Sequence, residues 1–196
     1  SYPIDYPKTG WSEQNPYDWY DACIEGMKEL LDGQDESTVG GISFGGQMHG
    51  LVILDKNDEV IRPAILWNDG RTTKQCEYLN EVIGRDKLEY TANIAFAGFT
   101  APKILWVKEN EPDNFAKIDK IMLPKDYIAY RLTGVHCTDV SDASGMLLFD
   151  VKNRRWSRQM LDICGVTEAQ MPRIFESSEC VGTVKKDIAD ELGIGS

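Results

Sequence analysis

Two hydrophobic periods alternate along the chain, and the switches between them predict its elements. Trp19, Tyr20, Cys23, Ile24, Met27, Leu30 and Leu31 recur at helical spacing behind Asn15 and Pro16, a cap followed by a first-turn proline. That spacing predicts a helix over 16–31 with Gly33 as its stop. The short, β-favouring run Val39-Gly-Gly-Ile-Ser-Phe44 predicts a buried strand ending at Gly45-Gly46. Segments 51–55 and 60–67 flank the polar turn Lys56-Asn57-Asp58-Glu59 and predict a hairpin. Pro63 has no N–H to donate and marks an edge or a bulge there. Helical spacing resumes over 72–82, from 101 or 102 to 108 with Pro102 suited to the first position, and over 124–132 behind a strand near 120–123. Residues 138–145 read as a polar loop, 146–149 as a strand, 156–163 as a helix capped by Gly165, and 181–184 and 188–192 as a last strand and helix. The sum is a mixed α/β fold without internal repeat, low-complexity tract or evident linker.

Composition narrows the class. At 196 residues, 42% hydrophobic and 27% charged, the chain has the make-up of an ordinary globular domain, not of a disordered or fibrous one. No apolar run reaches the eighteen or so residues that span a bilayer, and no basic segment leads into an apolar one at the start, so neither membrane insertion nor secretion is expected. The net charge of −11 repels phosphate backbones and makes nucleic acid a poor partner. Five cysteines, odd in number and without a CxxC pair, predict reduced, mostly buried thiols in a cytoplasmic protein. His49 and His136 are the only histidines, and no Cys or His stands at zinc spacing, so no metal site is expected. Phosphate-loop, dinucleotide-turn and nucleophile-elbow motifs are also missing.

Candidate chemistry gathers at the open end of the predicted hairpin. Pairing Asp55 with Glu59 sets His49 opposite Ile65 and Gln47 opposite Trp67. Gln47-Met48-His49 then meets Trp67-Asn68-Asp69-Gly70-Arg71, which joins polar donors and acceptors to a flat indole face. A polyhydroxylated ligand has both a C–H face and hydroxyls and suits that mixture. A hairpin end with a core Trp and a surface His has the same composition. Asp126, Asp139 and Asp142 offer carboxylates that act either as bases or as caps and turn formers.

Longer blocks carry a resemblance. Gly45-Gly-Gln-Met-His-Gly-Leu-Val-Ile-Leu-Asp55 followed by Arg62-Pro-Ala-Ile-Leu-Trp-Asn-Asp-Gly-Arg-Thr72 closely resembles the FGGY carbohydrate kinases, and within them the branch acting on D-xylulose. Gly98-Phe-Thr-Ala-Pro-Lys-Ile-Leu-Trp-Val-Lys-Glu-Asn110 is similar to that family's N-domain signature. Trp11-Ser-Glu-Gln-Asn-Pro16, Leu123-Pro-Lys-Asp-Tyr127, Arg131-Leu-Thr-Gly134 and Ser141-Asp-Ala-Ser-Gly145 fit in the same order, so the resemblance runs through nearly the whole chain.

The resemblance implies an actin-like (ribonuclease-H-like) α/β fold, a mixed sheet with flanking helices, in a kinase whose two domains close over a sugar and MgATP. It implies D-xylulose or a similar ketose as partner, with Met48 and His49 as the substrate-contacting pair where glycerol kinases of the family carry Arg-Glu. Trp67 matches a tryptophan of the sugar pocket, Asp69 and Arg71 follow in the same motif, and Phe99 lies in a loop expected to face it. Neither the family's Asp-x-Gly-Thr phosphate hairpin nor its Gly-Gly-Asp block with the catalytic base occurs in these 196 residues. Residues 1–196 are therefore expected to be an incomplete N-terminal, sugar-binding domain without its nucleotide domain, catalytic residue or tightly bound ATP and Mg²⁺, and inactive alone. An incomplete sheet exposes strand edges, which makes a homodimer one expected state. The alternatives are a kinase for ribulose, glycerol or another polyol, and a non-catalytic sugar-binding module.

Overall fold

In the computed structural model, which describes residues 2–84 and 91–195, helix α1 (Pro16–Leu31) forms over the predicted residues. Asn15 caps it by accepting from the Tyr17 N–H, and Pro16 sits in the first turn, where a missing N–H breaks no helical bond. Two short strands lie in the predicted hairpin, β2 (Val52–Leu54) and β3 (Ala64–Ile65), and β1 (Glu13–Gln14), which no pattern predicts, precedes α1. Helices α2 (Thr73–Val82), α3 (Thr100–Asn110) and α4 (Pro112–Phe115) lead to β4 (Lys120–Met122) and α5 (Pro124–Thr133). The C-terminal part holds β5 (Cys137–Asp139), α6 (Val140–Ser144), β6 (Phe149–Asp150), β7 (Arg155–Trp156), α7 (Arg158–Cys164), β8 (Arg173–Phe175) and α8 (Lys186–Leu192).

The sheet is mixed. β1 pairs antiparallel with β3, and β2 antiparallel with β4. A bridge between Leu51 and Ile65 joins the two pairs into one ribbon. β5 and β8 run parallel, and β6 and β7 antiparallel. β2 is apolar at every position because it is covered on both faces. Leu51 and Ile53 enter the larger core with Ile104, Leu105 and Phe149, while Val52 and Leu54 pack with Trp19, Met122 and Tyr127. Each such fully buried aliphatic side chain contributes about 1.5–3 kcal/mol relative to exposure. α3 is the central helix: every residue from Thr100 to Val107 is buried, a helix enclosed on all sides. A third cluster, Ile24, Leu132, Ile188 and Leu192, joins α1, α5 and α8.

Several expectations are corrected. Residues 39–44 form no strand; they run extended and partly exposed after a 3₁₀ turn, without a ladder partner among the described residues. The hairpin register holds only near its turn, where Leu54 bridges Val60 and the Asp55 N–H reaches the Glu59 carbonyl. Beyond Pro63 it slides by two, so that Leu51, not His49, faces Ile65, and the expected Gln47–Trp67 pairing is lost with it. Proline supplies no ladder donor, so the predicted bulge falls at its position. The loop read at 138–145 is β5 followed by α6, with Asp139 as N-cap. α3 begins at Thr100, which puts Pro102 third in the helix. Met146–Leu148 is a buried turn with Leu147 at φ 62°, and only Phe149 of that predicted strand pairs. α7 starts after Trp156, which belongs to β7, and Ser157 caps it. The closing strand is Arg173–Phe175, not 181–184, because β5 offers it a parallel edge. Cys76, Cys137 and Cys164 are buried, Cys23 is half-buried and Cys180 exposed, all as free thiols. Among the described residues no helix is long and apolar enough to cross a membrane.

Candidate functional site

Just before β2 the backbone makes a three-residue turn: the Gly50 N–H donates to the Met48 carbonyl at 2.9 Å, with His49 at its centre at φ 70°. A non-glycine residue in that region costs of order 1–3 kcal/mol and persists only where its surroundings hold it. The holders are visible. The His49 carbonyl accepts from Thr100 Oγ1 at 3.1 Å and from Lys103 Nζ at 3.0 Å, both from the first turn of α3. The His49 ring sits 2.9 Å by Nδ1 from the Gly145 carbonyl at the end of α6. Its centroid lies 4.7 Å from that of Phe99.

These contacts settle the chemistry of the imidazole. A carbonyl only accepts, so Nδ1 carries the proton and Nε2 is left as an acceptor. Burial pushes the imidazolium down from its usual range; the Gly145 carbonyl opposes that and the Lys103 charge adds to it. Met48 beside it is partly exposed.

Trp67 reaches the same place through the loop before α3. A Cβ on Gly98 would stand 2.7 Å from the Trp67 carbonyl oxygen, so the two backbones touch as only glycine allows. The next residue, Phe99, contacts His49, and Phe96 lies edge-on to Phe99 at 5.7 Å. Thr72 Oγ1 donates to the Ala97 carbonyl at 3.1 Å and fixes the loop to the Trp67 segment. The indole itself is 57% exposed. An open aromatic face and a neutral imidazole acceptor thus border one short loop, and the Met48 thioether lies, like the imidazole, against Gly145, an arrangement that can hold a ligand with C–H and hydroxyl faces.

Asp69 and Arg71 lie beneath that surface. Asp69 is fully buried and accepts from the Ser12 N–H at 2.6 Å and from the Arg71 N–H, Nε and Nη2 at 2.9, 2.9 and 2.7 Å. The Arg71 guanidinium is stacked 3.9 Å from the Trp11 ring and 4.8 Å from the Trp106 ring, with Glu13 at 2.7 Å. Both act on the Trp67 segment from below.

The three carboxylates weighed as bases are structural neighbours. Asp126 accepts from the Leu123 N–H at the start of α5, and Asp139 accepts from the Ser141 and Asp142 N–H groups at the start of α6. Lys125 ties them together with Asp142, at 2.6, 3.0 and 3.0 Å. Burial alone would lower that ammonium, but the carboxylates outweigh it and keep it charged. Among the described residues no group of three or more His, Cys, Asp or Glu is arranged to hold a metal ion. Sequence reasoning missed Lys103 and Gly145 as parts of the site. A lone charge inside the apolar run Ala101-Pro-Lys-Ile-Leu-Trp-Val107 was the available signal for the first; nothing short of the fold marks the second.

Comparison with known proteins matches residues 1–196 to the N-terminal domain of the FGGY family of carbohydrate kinases. A xylulose kinase of Lactococcus lactis is 46% identical over 194 residues, covering 96% of this chain and 38% of its own length. A xylulose kinase of Bacillus subtilis is 44% identical over 195 residues, 98% of this chain and 39% of its length. The crystal structure of a "xyloylose kinase" from Brucella ovis superposes with a TM-score of 0.94 at 40% identity, over 100% of this chain and 40% of that one. The chain thus spans about two fifths of the length of the curated relatives it matches, and the actin-like mixed α/β fold of those kinases is its fold.

Proposed function

The chain belongs to the FGGY family of carbohydrate kinases, and from that premise we propose that it is the sugar-binding portion of an ATP-dependent kinase converting D-xylulose to D-xylulose 5-phosphate. The single observation that carries this reading is the His49 turn, an imidazole held neutral with Nε2 as acceptor beside Met48 and the loop under Trp67. In this reading Nε2 accepts from a sugar hydroxyl, Met48 and the open indole of Trp67 pack on the C–H faces, and Asp69 serves the pocket by clamping Arg71 under Trp67. The relatives named xylulose kinase support the choice of ketose.

Residues 1–196 constitute part of the N-terminal domain in this reading. ATP supplies the phosphoryl group and Mg²⁺ offsets its charge in the complete enzyme. Among the described residues no group of three or more His, Cys, Asp or Glu is arranged to hold that ion, and this reading assigns both ATP and Mg²⁺ to the complete enzyme. This reading places the complete enzyme in the cytoplasm and keeps a homodimer as one state of residues 1–196, whose incomplete sheet exposes strand edges. The test compares D-xylulose, D-ribulose and glycerol as acceptors for the complete polypeptide with MgATP. D-Xylulose is expected to give the highest kcat/KM, while the 196 residues alone bind sugar without turnover. A preference for glycerol overturns the reading.

A further inference from the structure

Lys103 is a buried lysine with no carboxylate within ion-pair distance among the described residues. Its side chain is completely enclosed in α3, where an amine is costly to bury and a methionine would fill the same space without a polar atom. Nζ spends its hydrogen bonds on two backbone carbonyls, those of His49 at 3.0 Å and of Gly98. These belong to the two segments that border the proposed pocket. His49 is the left-handed centre of its turn, and Gly98 lies against the Trp67 backbone and precedes Phe99, which touches the His49 ring.

We propose that Lys103 is a positioning residue for the sugar pocket: by tying the His49 and Gly98 carbonyls to one amine it holds the His49 ring, Phe99 and the Trp67 segment in their binding arrangement before ligand arrives. The proposal rests on the sugar-pocket reading above and deepens it. Thr100 Oγ1 shares the His49 carbonyl, so α3 grips the turn from two successive positions on one helical face. Burial pushes the ammonium down to about 7, with Asp69 opposing the shift. The clamp does not depend on that charge, since a neutral amine still donates two hydrogen bonds.

The test is a double-mutant cycle on D-xylulose binding, read by titration calorimetry on the complete polypeptide with His49→Ala, Lys103→Met and both together. Each single variant is expected to raise the dissociation constant about five- to tenfold. In the His49→Ala background, Lys103→Met is expected to keep only part of its effect, about two- to threefold, because the ring it holds is gone while Phe99 and the Trp67 segment remain. Independent, multiplying losses overturn the proposal and leave Lys103 a packing residue. The His49 imidazole NMR signals of the 196-residue chain, distinct from those of His136, supply a ligand-free readout. Lys103→Met shifts them if the clamp exists, and unmoved signals overturn it. Should His49→Ala leave sugar binding unchanged, the pocket reading fails, while the imidazole signals still decide the clamp. If Lys103→Met does not fold, Lys103→Gln, which keeps an N–H donor one atom shorter, carries the same cycle; loss of folding in both overturns the proposal.

Discussion

Replacing Gly145 by alanine separates ring placement from stability. Gly145 has φ −86° and ψ −2°, a conformation open to any L-residue, so the backbone itself does not resist a side chain. The space does. A Cβ there would stand 2.5 Å from His49 Cε1 and 2.8 Å from Nδ1, distances that no side chain keeps. The imidazole must swing away, losing its bond to the Gly145 carbonyl and its contact with Phe99. A hydrogen bond is worth about 0.5–1.5 kcal/mol and an aromatic pair about the same, so roughly 1–3 kcal/mol of ring-fixing interaction is lost. Against it, Gly→Ala returns about 0.4–1 kcal/mol by restricting the unfolded chain. The net loss of stability is expected to stay below about 2.6 kcal/mol, with the fold intact. Sugar affinity is expected to fall about tenfold, matching His49→Ala. Urea unfolding measures the first quantity and titration with D-xylulose the second. An affinity within twofold of the parent, with unmoved His49 imidazole signals, would refute the placement of the ring against Gly145.

Two further outcomes follow from buried charge. Lys103 is held near pKa 7 by burial, with Asp69 and Arg71 as the charged neighbours, against 10.5 in the unfolded chain. The unfolded state therefore binds the extra proton below pH 10.5, and stability rises with pH between about 7 and 10.5. From pH 7 to pH 9 the parent should gain about 2 kcal/mol over Lys103→Met in urea unfolding; parallel pH profiles would dismiss the idea. Asp69→Ala removes one of the two carboxylates on a fully buried guanidinium, leaving Glu13, together with the acceptor of the Ser12 N–H, and should cost about 3 kcal/mol, whereas Trp67→Ala, at an exposed indole, should change stability by less than about 0.5 kcal/mol and still weaken sugar binding. Equal stabilities for these two variants would contradict the division between support and contact.

What could be read in the sequence divides along the range of the forces involved. α1 was legible because its cap, first-turn proline and apolar stripe are all local, and every one agrees with the packing it meets. The strand read at 39–44 failed because a β segment needs an edge, and no residue inside that run says whether a partner stands beside it. Strand β8 was overlooked for the converse reason: Arg173–Phe175 pairs because β5 lies parallel to it across more than thirty residues of chain. The register slip shows the same limit at short range. Pro63 announced a bulge, but how far pairing slides past it depends on Leu51 finding Ile65, and only the folded ribbon supplies that.

The candidate site combines both kinds of information. His49 and Trp67 stand out by type, an imidazole beside an indole face, and Met48 only through the family resemblance. Asp69 stood out equally and proved to face inward, because its four hydrogen bonds come from Ser12 and Arg71. A carboxylate's type does not reveal which way it turns; that depends on whether an arginine buried between two tryptophans needs it more than solvent does. Lys103 reverses the case, a charge inside an apolar run that the fold encloses completely. A buried amine among apolar neighbours persists only where its hydrogen bonds serve something, and here they end on the carbonyls of His49 and Gly98. The candidate contact residues can thus be picked out from the sequence, while Lys103 is visible only through its acceptors.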